Sequence, residues 1–64
     1  MKIWEILKEE NIGKIYDVYN GISCFPQIVI ERDKDGFLIP TLVKENKPLE
    51  CTLNLELILG LSFK

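Results

Sequence analysis

The chain has 64 residues, 47% of them apolar, and a formal net charge of −2. A single arginine, Arg32, and the lack of any basic run argue against general DNA or RNA binding, which needs clustered cations. With no histidine, two distant cysteines (Cys24 and Cys51) and no apolar stretch near the ~20 residues of a membrane helix, the sequence is poorly provided for metal binding, thiolate catalysis or membrane insertion.

In chain order, residues 2–10 read as a short helix. Ile3, Ile6 and Leu7 follow the spacing of one apolar face, Trp4 sits at the edge of that stripe, and Gly13 is a C-terminal stop. Residues 14–19 read as a strand with Tyr16 and Val18 on its drier face and Ile15, Asp17 and Tyr19 on the wetter one. Asn20-Gly21 is a hairpin signal, and residues 22–31 are the return strand. Pro26 lacks an N–H, so it marks a bulge or an edge, or splits the run in two. Residues 32–36 are a second turn with Asp35-Gly36 at its tip, and 37–43 form the next strand, where Pro40 again implies an edge or a kink. Residues 44–48 are a polar loop. Residues 49–53 alternate as a strand, with Leu49, Cys51 and Leu53 on one face.

Residues 54–59 fit either a helical turn or a further strand. Asn54 at an N-cap, Gly60 at the stop and the unbroken Leu57-Ile58-Leu59 favour the helical turn. Residues 61–64 close as a short strand. The expected class is α+β in a single small domain. A short N-terminal helix packs on a curled antiparallel β-sheet of 4–5 strands, with a short helical turn near the C-terminus.

A core of this size seldom yields more than ~3–5 kcal/mol, so small proteins usually carry a staple. The charged start "MKIWEILKEEN" does not read as a signal peptide. A reducing cytoplasm is then expected, where the thiols stay free, and no cofactor is called for. The remaining staple is self-association. The last third is mostly leucine and isoleucine, more than one protomer can hide, so a homo-oligomer is expected with Leu55, Ile58, Leu59 and Leu61 at its interface.

No catalytic group can be assembled from these residues, and the expectation is a non-enzymatic protein. "RDKDG" has the alternating carboxylates Asp33 and Asp35 of a calcium loop but Phe37 at the next position, so a hairpin turn accounts for it better. A cysteine in a strand reads as a small hydrophobe. Six rings remain. Tyr16, Phe25 and Phe63 read as core. Trp4, Tyr19 and Phe37 read as partly exposed and able to stack on a ligand or anchor a partner, with Arg32 and Lys34 supplying charge for a phosphate.

The opening "MKIWEILKEENIGKIY" and the ending "LNLELILGLSF" are similar to small proteins of phages that infect Gram-positive bacteria, which begin with an "IWEILKEENIGK"-like helix and turn and end in "ILxLxF". The middle of the chain carries none of this resemblance, and it transfers no functional residue. It implies a phage protein at work in the host bacterial cytoplasm, in a group that includes inhibitors of bacterial immunity. Some of these bind a defence protein directly, as anti-CRISPR proteins do. Others are oligomeric sponges that sequester a nucleotide immune signal. The aromatics near Arg32 and several lysines favour the sponge. A direct protein inhibitor, and a phage accessory or structural protein, are the alternatives.

Overall fold

A computed structural model describes residues 1–21 and 24–64 of the chain. The placement of Ile22 and Ser23, and the side chains of Cys24 and Phe25, including the core role expected of Phe25, lie outside the described residues. The elements run α1 (Ile3–Ile6), a 3-10 turn (Glu9–Asn11), β1 (Ile15–Tyr19), β2 (Cys24–Arg32), β3 (Leu38–Leu42), β4 (Lys47–Pro48), a second 3-10 turn (Leu49–Cys51), α2 (Leu55–Gly60) and β5 (Ser62–Phe63). The strands form one open antiparallel sheet in the order β4-β3-β2-β1-β5. The fold is therefore the α+β layout expected.

Pairing decides which side chains turn inward. Register places Tyr16 opposite Ile28, Ile28 opposite Leu42, and Val18 opposite Phe63. Residues directly opposite share a face. That face carries Tyr16, Val18, Ile28, Ile30, Leu42 and Phe63, all buried, and Ile3, Ile6, Leu49, Ile58 and Leu61 complete one core against it. On the far side of the sheet, Ile15, Val29, Thr41 and Pro48 form a row across four strands.

Pro26 and Pro40 sit where the sheet needs no donor. Tyr16 pairs with Ile28 but Val18 with Phe25, so Pro26 and Gln27 together face Asp17 in a β-bulge. Across it the Gln27 amide donates to the Asp17 carboxylate at 2.8 Å. In β3, the bonds from Asp33 N–H to the Phe37 carbonyl and from Val43 N–H to the Gln27 carbonyl mark the hydrogen-bonded pairs with β2. Alternation makes the Ile30–Pro40 pair non-hydrogen-bonded, so the nitrogen of Pro40 faces the outer edge.

The two ends of the chain close the other edge. Asp17 and Lys64 exchange both backbone bonds, and Phe63 does the same with Met1 on its outer side. Phe63 thus lies between β1 and the first residue of the chain, and its ring is fully buried.

Several expected boundaries are corrected. The N-terminal helix stops at Ile6, not residue 10. Leu7 is the centre of an inverse γ-turn (φ −78°, ψ 71°), in which Lys8 N–H donates to the Ile6 carbonyl, and the Asn11 side-chain amide takes that same carbonyl at 3.0 Å. So short a helix gains too little from propagation to resist this competition. Gly13 does not stop the helix. Its φ of +89° serves a bulge, where Gly13 N–H donates to Ile30 and Ile30 N–H to Lys14, so two residues face one. In the first hairpin Tyr19 pairs with Cys24, and the return expected after Asn20-Gly21 begins on Ile22 and Ser23, outside the described residues. Lys47–Pro48, expected as loop, pairs with Thr41 and Leu42.

The strand expected over 49–53 is a 3-10 turn. A spacing of four places Leu49 and Leu53 on one side in either a strand or a helix, and Cys51 is the residue that separates the two. It is exposed, so its expected burial is also corrected. Over 54–59 the helical reading holds: the Asn54 carboxamide oxygen accepts from Leu57 N–H at 3.0 Å, as an N-cap should.

Candidate functional site

The core's rim opens into a groove. Its floor is Ile3 and Ile58, both part of the core. Leu7, Leu38 and Leu53, half-buried and packed on that core, form its sides. Trp4, Leu55 and Leu59 stand on its rim, 59%, 69% and 43% exposed. Ile39 and Pro40 of β3 and Glu50 and Asn54 before α2 complete the lining. The volume is about 470 Å³. An apolar cavity of roughly 150 Å³ accepts one benzene, so this groove has room for roughly three groups of that size.

Each contributor has a local cause. Half of a capping box, in which the Glu5 carboxylate accepts from Lys2 N–H at 2.8 Å, starts α1 and fixes where Trp4 points. The γ-turn at Leu7 aims that side chain across the groove rather than onward along a helix. The Asn54 cap sets the start of α2, and the Lys2 ammonium bonds the Gly60 carbonyl at 3.2 Å, tying the end of α2 to the start of α1. Leu55 and Leu59 are one helical turn apart on the same side of α2.

The groove is almost uncharged. Among its lining residues Glu50 is the one ionisable side chain, and it is exposed. No lysine or arginine lines it.

The structure brings together only part of the expected ligand set. Trp4 lies in the groove, but Tyr19, Arg32, Lys34 and Phe37 are not among its lining residues. Tyr19 lies on β1 with the Lys64 ammonium 5.8 Å from its ring centre. Arg32 is engaged: its guanidinium bonds the Gly36 carbonyl at 2.7 Å and pairs with the Glu9 carboxylate. Lys34 and Phe37 are exposed on the β2–β3 turn, Phe37 at 69%. In that turn the Asp33 carboxylate accepts from the Asp35 and Phe37 N–H groups, both at 2.9 Å, so the acidic pair serves the hairpin.

The expected interface set also divides. Leu55 and Leu59 are exposed, while Ile58 and Leu61 are core residues at 4% and 3% exposure, Ile58 at the floor of the groove. Leu57, 55% exposed, lies on the other flank of α2, where a second hollow also touches Asn20 and Leu61. Leu7, Leu38, Leu53 and Glu50 were not legible as site residues. Their gathering depends on how β3, the 3-10 turn and α1 pack, and no local spacing encodes that.

The chain matches no protein family, no curated protein and no solved structure. Among the described residues, no helix is long and apolar enough to cross a membrane.

Proposed function

We propose that this chain is a non-enzymatic, phage-type binding protein that counters bacterial antiviral defence in the host cytoplasm by engaging a host defence protein directly. The groove between α1, β3 and α2 is its contact surface. The observation that carries this reading is an apolar, nearly uncharged groove with a tryptophan and two leucines exposed on its rim. Buried aromatic and aliphatic anchors in a pocket dominate the energetics of protein interfaces. The phage context rests on the resemblance at the two ends of the chain.

The nucleotide sponge draws less support. A phosphate needs cations placed to meet it. Arg32 already bonds Glu9 and Gly36, and no cation lines the groove. Self-association is the second reading, favoured by the three leucines that α2 leaves exposed. Sedimentation at micromolar concentration reads it directly.

The test is plaque formation on a panel of Gram-positive hosts, each carrying one defence system and expressing the chain. Plating efficiency is expected to rise at least tenfold against one system with the wild-type chain and not with Leu55→Glu. A flat panel, or a rise that Leu55→Glu leaves unchanged, defeats the proposal. A melting-temperature increase with a cyclic nucleotide or an ADP-ribose derivative would return the sponge to first place.

A further inference from the structure

The partner's chemistry can be narrowed, given the protein-binding reading above. We infer that the groove takes an amphipathic helix whose apolar ridge is flanked by basic side chains.

A helix fits better than an added strand. The outer edge of β3 over residues 38–40 lines the groove, and β4 ends at Pro48 opposite Thr41, before it could pair that edge. Strand addition there would run along Pro40, which faces outward and has no N–H to give. Of the two residues whose backbone faces that edge, Leu38 and Pro40, only Leu38 could then exchange both bonds with an added strand. Side-chain recognition does not meet this obstacle. Leu55 and Leu59 make an i, i+4 ridge with ~6 Å of rise between them. A second helix packs on such a ridge by setting its own ridge beside it. A small apolar molecule held among Leu7, Leu38 and Leu53 would leave the exposed faces of Trp4 and Leu55 in water, whereas a helix lying across the mouth covers both.

Charge then selects among helices. Glu50, at the mouth, has no cation beside it among the lining residues, and the chain as a whole carries −2. A lysine or arginine flanking the incoming ridge meets a carboxylate, and an acidic flank is repelled. Exposed pairs of this kind change affinity by up to about fivefold each.

Trp4 is the single tryptophan and stands on the rim, so the full chain reports its own occupancy by fluorescence. It is titrated with two tryptophan-free designed helical peptides that share one leucine ridge, one with lysine flanks and one with glutamate flanks. The lysine peptide is expected to shift Trp4 emission to the blue, saturably, and to bind about five- to tenfold tighter than the glutamate peptide. High salt and Glu50→Gln should each narrow that gap, and Leu55→Glu should abolish saturable binding of either peptide.

Equal affinity for the two peptides at low salt overturns the charge selection and leaves the groove reading standing. No shift with either peptide overturns the groove reading itself. Undiminished binding to Leu55→Glu shows unspecific association and overturns both. A blue shift that grows with chain concentration before any peptide is added makes a second copy the occupant and overturns the inference.

Discussion

The β2–β3 pair and the C-terminal segment 55–60 are about equally apolar and meet opposite fates. In the pair, Ile28, Ile30 and Leu42 are all buried. In α2, of four large aliphatic residues in six, only Ile58 is buried, and Leu55, Leu57 and Leu59 face outward. Apolar content does not separate them; geometry does. A paired strand sends every second side chain to the same face, so an alternating sequence is sorted by its hydrogen bonds. A helix of under two turns offers the core a single stripe, and consecutive leucines are distributed around it. Two of that excess, Leu55 and Leu59, are the groove's rim.

The largest effect belongs on the sheet side. Phe63→Ala removes a fully buried ring held between β1 and Met1. Such truncations cost about 3–5 kcal/mol, which is about the whole stability of a core this size. The variant should show no cooperative melting transition by far-UV circular dichroism at any temperature. A normal transition would mean that β5 carries less of the fold than its burial implies, and the contrast with α2 would collapse.

A middle effect lies at the start of α2. Asn54→Ala removes the bond that accepts Leu57 N–H. The loss should be about 1 kcal/mol, read as a lower denaturant midpoint with an unchanged slope. If the midpoint does not move, the helix is held by Ile58 alone, and the cap that made it legible contributes nothing to its stability.

That cap also marks how far the sequence could be read. Four of the five strands and the helical turn follow from β-branched and aromatic runs, from the Asn20-Gly21 and Asp35-Gly36 turn signals and from the Asn54 cap, all local signals, whereas β4 reads as loop. Tyr16 and Val18 are inward as their parity requires. The failures have separate causes. Leu49 and Leu53 agree with both periods, so only the exposed Cys51 reveals the 3-10 turn. The helix at residues 2–10 is well patterned beyond Ile6, but a γ-turn and the Asn11 amide end it. Of the candidate site, Trp4 was legible as a ring at the edge of its helix's apolar stripe, and Leu55, Ile58 and Leu59 as part of an apolar excess, with nothing local to separate the buried Ile58 from its exposed neighbours. The walls were not, because Leu7, Leu38 and Leu53 meet only after the sheet has formed.

The smallest effect sharpens the contrast most. Leu55→Gln combined with Leu57→Gln replaces two leucines of the same apolar segment that holds Ile58. Both are more than half exposed, at 69% and 55%. Glutamine matches leucine closely in helix propensity, and exposed substitutions of this kind change stability by less than about 0.5 kcal/mol. The double variant should therefore melt with the wild type while losing the saturable Trp4 shift with the lysine-flanked peptide. Folding and binding then separate within one turn of helix: Ile58 serves the first and Leu55, on the groove's rim, the second. A clear fall in melting temperature would instead place these leucines in an interface the protein needs in order to fold, and sedimentation of the wild type against the variant would show it as a loss of mass.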